Sequence, residues 1–415
     1  MFLPWRRPLL RSSALAAALS SLALLAACSG SGDSAGSARA GACVAPGVTE
    51  DKIKIGLLWG DTGPGSDVLR AFRAGVDARL GVANAEGGVG GRQIEYVWRD
   101  DASDPSLNLR GARELVEKEN VFGVIEGPGG VQGSGEYLAE RQVPVTGLGS
   151  DPVWGRHDNM FSWVYFPGGE GSSTVWGEFI RSQGGTTAAL VKIPLNAAFR
   201  GFEEQFLASL RAADISVPVS FEVTAEVTGF DSLARQMKAA NVDILTGVLL
   251  PQVLAQILPA AQRAGVDLKV VLTPMGYDHT LLQQLGPTIA GTVVSSNFVP
   301  FEANTPAHQR LLQAMATYVP QIQPPSQDSA VYGWLAADLF LRGLEVAGAC
   351  PTRQSFIEGL RTVHDYDGGG LLPEPVDLAT NRGKTANCYT FVQVSPDGTR
   401  FVPLDPVVRC GTPIT

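Results

Sequence analysis

Past its first 27 residues the chain has no apolar run of the roughly 20 residues that a membrane-spanning helix needs, so nothing in its body reads as a spanning segment. Metal ligands and catalytic signatures are just as sparse. The four histidines, His157, His279, His308 and His364, are isolated from one another, and no Cys-x-x-Cys occurs. Neither a zinc site nor a redox motif is therefore visible, and no metal or cofactor is called for. Beyond the first 50 residues the chain also holds no G-x-S-x-G elbow, no complete G-x-G-x-x-G, no P-loop and no His-Glu-x-x-His, which argues against an enzyme. Positive charge is scarce too. Arg6, Arg7 and Arg11 fall in the first 27 residues, and removing them takes the net charge from −9 to −12. A body so acidic argues against a nucleic-acid partner and against a basic membrane-binding surface.

What is present begins at the amino terminus. The three arginines precede an Ala/Leu-rich run that stops at Leu25-Ala26-Ala27-Cys28, the pattern of a secretory signal ending in a lipobox. Residues 1–27 read as a lipoprotein signal peptide, with Cys28 the thiol that is acylated and left as the new first residue. Residues 28–50 follow as a tether, flexible because Ser29 to Ser37 is Gly/Ser-rich. The expected localisation is export, with a lipid anchor on the extracytoplasmic or periplasmic face. The remaining cysteines, Cys43, Cys350, Cys388 and Cys410, are even in number, as an oxidising compartment favours. Of the three possible pairings, the expectation is Cys350 with Cys388, since the first ends a helix and the second starts a tail strand. Cys43 with Cys410 would then tie the termini together.

The body alternates. Lys52–Trp59, Arg92–Trp98, Val121–Ile125 and Val143–Thr146 read as strands, separated by helical patterns over Val68–Glu86, Leu107–Glu119 and Gly135–Arg141. A second series places strands near Thr187–Ile193, Val219–Val223, Asp243–Leu249, Lys269–Thr273 and Gly291–Ser295, with helices near 199–212, 231–240 and 252–264. Such βαβ repetition means parallel sheets covered on both faces. About 370 structured residues exceed one comfortable core, so two doubly wound lobes are expected, with a boundary around Phe161–Gly171. The apolar stripe of Gln327–Ala347, carried by Tyr332, Trp334, Leu335, Leu339, Phe340 and Leu344, reads as a core helix. Cys388–Val394 followed by Pro396-Asp397-Gly398 reads as a hairpin.

Four segments in register carry a family resemblance: Ile53–Leu58 with Thr62-Gly63-Pro64, Asn84–Arg92, Arg99–Pro105 and Val143-Pro144. Together they resemble the leucine/isoleucine/valine-binding family of ABC transporter receptors, over about Ile53 to Val363. The resemblance implies a type I periplasmic binding protein fold, two lobes joined by a three-strand hinge. Lobe I would be 51–165 plus 300–363, and lobe II 166–299 plus 364–415. It implies a small-molecule ligand, ABC permease subunits as partners and no catalysis. An extracytoplasmic sensor shares the same clamp and is the alternative, with a lipoprotein hydrolase behind it.

Ligands of open parallel sheets sit beyond the strand carboxyl ends. In the family, hydroxyl side chains after the strand that here ends at Ile125 bind a ligand carboxylate. This chain has Gly127-Pro128-Gly129-Gly130 instead, where the N–H groups of Gly129 and Gly130 can meet an anion. A glycine turn without a ligand role is the alternative. Leu148-Gly149-Ser150 keeps one hydroxyl at the matching place. In the second lobe the family sets a carboxylate against the ligand ammonium, and Met275 stands at that position. Leu250, Tyr277 and Trp59 complete an apolar wall, while Asp278, one turn away, reads as a helix cap. The set suits an apolar or aromatic body with one acidic or neutral polar end.

Overall fold

A computed structural model describes residues 43–165, 170–193, 197–224, 227 and 229–415, with the side chains of 197–199 excepted. The signal, Cys28, most of the tether and the centre of the expected lobe boundary lie outside the described residues. Five strands form the first sheet: β1 (Lys52–Trp59), β2 (Gln93–Asp100), β3 (Val124–Glu126), β4 (Val145–Gly147) and β5 (Met160–Phe161). They are parallel, in the order β2-β1-β3-β4-β5. After β6 (Ser172–Ser173) come β7 (Thr187–Lys192), β8 (Ser216–Glu222), β9 (Ile244–Gly247), β10 (Val270–Thr273), β11 (Val293–Ser296), β12 (Cys388–Val394), β13 (Phe401–Cys410) and β14 (Pro413–Ile414). The second sheet runs β13-β12-β11-β10-β9-β7-β8, parallel except for the β12–β13 hairpin at one edge, and β14 pairs with β6. The chain is thus the expected two-lobed α/β protein.

Local chemistry explains most boundaries. Asp104 caps the helix Pro105–Arg113 by accepting from the N–H groups of Ser106 and Leu107, and Pro105 occupies its first turn, where a missing N–H costs nothing. The helix continues as a π-helical turn over Glu114–Lys118. Asp243 ties the amino ends of three strands of the second sheet. Its carboxylate accepts from Thr186 and Thr187 N–H and from Lys269 Nζ, at 2.8–3.0 Å. Burial works against that charge, but the hydrogen bonds outweigh it and hold the carboxyl down at about 2. The amino ends are therefore locked, while the carboxyl ends lead into the loops that can recognise a ligand.

The helix Asp328–Ala347 returns to the first sheet, as its apolar stripe implies, with 13 residues buried. Thr146 Oγ1 on β4 donates to Ala336 O at 2.8 Å. Against the helix Phe72–Ala85 it packs backbone on backbone. A Cβ on Gly75 would sit 1.9 Å from Ala330 O, and one on Gly333 would sit 1.8 Å from Phe72 O. Residues 158–162 around β5, the residues just after β11 and the stretch 361–387 lie against one another, with Val299 N–H donating to Leu371 O at 2.8 Å. Arg361 donates to Asp158 O, Met160 O and Leu378 O, Asn381 Nδ2 donates to Ser162 O, and Arg382 pairs with Asp158.

The expected cysteine pairing is overturned. Cys43 is bonded to Cys350, and Cys388 to Cys410. The hairpin decides it: β13 runs back along the whole of β12, so its last residue, Cys410, lies in register with Cys388. Cys43 is left beside the end of the long helix, where Arg92 clips the two approaches by donating to Thr49 O and Ala349 O.

Two measurements check this account. Gly333→Ala forces the two helices apart and lowers stability in urea by about 1–3 kcal/mol, with the slope of the unfolding transition unchanged. Non-reducing peptide mapping recovers Cys43 with Cys350 and Cys388 with Cys410, and Cys43→Ser with Cys350→Ser costs about 2–5 kcal/mol.

Candidate functional site

The strands of the two sheets end in loops that hold the residues expected at the site, apart from Trp59, which is the last residue of β1. On the first lobe, Gly127–Gly130 follows β3. Gly129 has φ of 132° and lies so close to the 101–105 loop that a Cβ would meet Ser103 Oγ at 2.9 Å; one on Gly130 would meet Asp104 O at 2.9 Å. Glycine is thus required here by packing, whatever the loop binds. Gly130 also opens a 3₁₀ turn, Gly130–Gly133, whose first N–H groups have no acceptor within the turn. Among the described residues nothing accepts from Gly129 or Gly130 N–H. These donors are unspent.

Leu148-Gly149-Ser150, after β4, is less free. Gly149 N–H is shared between Ser162 Oγ at 2.8 Å and Val164 O at 3.1 Å, and Ser150 N–H donates to Leu148 O. The Ser150 hydroxyl has no partner among the described residues and remains for a ligand. Trp59, at the end of β1, lies under the Gly127 turn and stacks on Phe72 with ring centroids 6.3 Å apart. It is buried, and its Nε1 has no partner among the described residues.

On the second lobe, Thr273 knots two loops together. Its hydroxyl donates to Leu249 O and accepts from Leu249 N–H and Met275 N–H. Leu250 and Met275 are both partly exposed and pack against the buried cluster of the second lobe that contains Val248, Leu272 and Trp176, forming an apolar rim. Tyr277 turns inward instead. It is buried, and its hydroxyl donates to Glu302 Oε2 at 2.5 Å and accepts from Phe301 N–H at 2.7 Å. Burial and then the Glu302 charge hold its phenol well above the usual range. Asp278 caps the helix His279–Leu285 through Thr280 N–H and Oγ1, both at 2.7 Å.

Several residues escaped sequence reading. Tyr332 on the long helix stacks on Trp163 from the stretch after β5, centroids 6.5 Å apart, and meets Phe298 from the stretch after β11 edge-on at 5.7 Å. One turn before Tyr332, on the same face, Asp328 keeps partial exposure. Burial, and next the Asp278 charge, push its carboxyl up to about 7. Asn297 and Phe298 directly follow β11, and the strand-end rule applied to that strand would have found them. Asp328 and Tyr332 had no such signal, because their helix reads as core.

Comparison with known proteins places this geometry. A family model for periplasmic binding proteins matches residues 52–399. A leucine-, isoleucine-, valine-, threonine- and alanine-binding protein of Pseudomonas aeruginosa is 24% identical over 306 residues, 72% of this chain and 80% of its own length. A putative branched-chain amino acid ABC transporter protein of Rhodospirillum rubrum has a similar structure, with a TM-score of 0.66 at 21% identity over 85% of this chain and 100% of that one. A solute-binding protein of an ABC transporter from Rhodopseudomonas palustris, in complex with 3,4-dihydroxybenzoic acid, has a TM-score of 0.69 at 16% identity, covering 87% of this chain and 98% of that one.

Because its hydroxyl is consumed within the protein, Tyr277 tests what holds the second-lobe loop. Tyr277→Phe strands Phe301 N–H and Glu302, so it costs about 1–3 kcal/mol in thermal unfolding while ligand affinity changes less than about threefold. Unchanged stability with lost affinity would put the hydroxyl on the ligand instead.

Proposed function

Since the chain belongs to the periplasmic binding protein family, the solute-binding components of ABC-type transporters, we propose that it is an extracytoplasmic lipoprotein that captures an apolar or aromatic carboxylate between its lobes for uptake. One observation carries the ligand reading: the asymmetry of the two rims. The first lobe presents unspent donors at Gly129, Gly130 and Ser150, which suit an anion. The second presents Leu250 and Met275, and it offers no carboxylate at the position where the resemblance puts the partner of an ammonium. A buried ammonium left there without a counter-charge would cost several kcal/mol. Binding closes the lobes about the three stretches that lie against one another. The Rhodopseudomonas protein, which carries an aromatic acid, supports this ligand class on the same fold.

A zwitterionic amino acid is the second reading. The Pseudomonas relative binds such ligands, and Asp328 is a partly exposed acid on the helix that meets the crossings. Calorimetric titration separates the two. Benzoate and the keto-acid counterparts of leucine and isoleucine bind with micromolar affinity, and the parent amino acids bind at least about a hundredfold more weakly, a difference near 3 kcal/mol. Tight binding of leucine that is lost in Asp328→Asn would reverse the assignment.

Cys28 supplies the anchor in this reading. Cells expressing the protein with labelled palmitate incorporate label into the wild type, and Cys28→Ala abolishes both label and membrane association. A Cys28→Ala protein that still sediments with membranes would argue for another attachment.

A further inference from the structure

Glu126 ends β3 with no solvent exposure, and its register neighbours, Leu58 on β1 and Gly147 on β4, bring no polar side chain to it. Oε1 accepts from Ser134 Oγ at 2.6 Å. Oε2 has no partner among the described residues. Asn108, fully buried on the helix Pro105–Arg113, lies against the glycine loop that follows Glu126: a Cβ on Gly130 would sit 2.9 Å from the Asn108 Cβ. Its Nδ2 donates to Asp101 Oδ2 at 2.9 Å, and its Oδ1 is also without a partner.

An amide between two carboxylates has an acceptor on one side and a donor on the other. Turning the Asn108 amide over only moves the clash of acceptors from Glu126 to Asp101. A proton on one of the two acids removes the clash and gives both orphaned atoms, Glu126 Oε2 and Asn108 Oδ1, a partner. Asp101 is content as an anion: Oδ1 accepts from Ser103 N–H at 2.8 Å and Oδ2 from Asn108. Glu126 has only the Ser134 hydroxyl. We propose that Glu126 is held as a neutral carboxylic acid whose Oε2–H donates to Asn108 Oδ1, and that this makes it the positioning residue of the Gly127–Gly130 loop.

The surroundings agree. Burial first, with the Asp101 charge adding to it, pushes the Glu126 carboxyl up to about 8 against the opposing hydrogen bonds of Ser134 and Asn108, and Asp101 is the ionisable group facing it. Ser134–Glu126 on one side and Asn108–Asp101–Ser103 on the other are bonded, and the proposed Glu126–Asn108 bond joins them into a series that starts just past the glycine loop and ends on the residue against which Gly129 packs. It grips the loop from both sides. Ionised, Glu126 would set a second buried negative charge beside Asp101, beneath donors that have to meet an anion. The folded protein keeps this proton at pH values where an unfolded chain has released it. The contribution to stability is thus complete below the ordinary glutamate range and is lost as pH rises through about 8.

The proton is read by infrared difference spectroscopy of wild type against Glu126→Gln. At about pH 6 a protonated-carboxyl band is present in the wild type alone, and it titrates away near pH 8. Absence of that band at pH 6 overturns the proposal. The positioning role rests on the aromatic-acid reading of the cleft and is tested by benzoate titration. Only the protonated tenth or so binds well one pH unit above the midpoint, so wild-type affinity falls about tenfold between pH 6 and pH 9. Glu126→Ala weakens binding at both pH values. Glu126→Gln, whose amide repeats both bonds, restores affinity and removes the pH slope; a Gln variant that keeps the wild-type slope overturns the positioning role. Should benzoate bind at neither pH, the ligand reading falls, and the infrared titration alone decides for or against the proton.

Discussion

Two helices touching backbone to backbone set the frame for the rest. The helix 328–347 can seat against 72–85 only because Gly75 and Gly333 have no side chains at the crossing. That close approach brings Trp334, Leu335 and Phe340 into the core of the first lobe. It also fixes where the helix begins. Its first turn, with Asp328 and Tyr332, is thereby delivered to the place where the other crossings pass, against Trp163 and Phe298. A packing constraint in one lobe thus shapes the floor between two.

The parallel arrangement was open to sequence reading because it rests on local pattern. Lys52–Trp59 alternates into a buried run, and the strand found in the structure has those same ends. Asp104-Pro105 marks a helix start by capping chemistry alone. The hairpin of β12 and β13 was legible from its turn residues, yet its disulfide was not. Pairing depends on how far β13 continues, and a stretch containing Pro403 and Pro406 gives weak strand signal. The helices 279–285, 306–318 and 353–360 lay outside the elements read from periodicity; two of them start at threonine capping boxes, at Thr305 and Thr352.

The candidate site was legible only at the level of loops. Strand-end position pointed to the loops, because the parallel sheet itself dictates that location, and the family resemblance picked out Gly129, Gly130, Ser150, Leu250 and Met275 within them. Which donors remain free could not be read, since that depends on contacts distant in sequence: Ser162 takes Gly149 N–H, and Glu302 takes the Tyr277 hydroxyl. Glu126 was hidden for a further reason. An acid at the end of an apolar strand looks like the edge of the solvent, and only the folded protein encloses it with Asn108 and Ser134.

The two disulfides carry a mechanical meaning. Cys43–Cys350 joins the start of the described chain to the end of the long helix beside the first sheet, and Cys388–Cys410 closes a hairpin at the edge of the second. Each bond is internal to one layer. The opposite pairing would have strapped the layers together and fettered any swing between them. As built, each covalent bond stays within one layer and neither crosses between them. A pull applied at residue 43 would load the first lobe directly through a covalent clasp, and neither bond would carry it across to the second sheet.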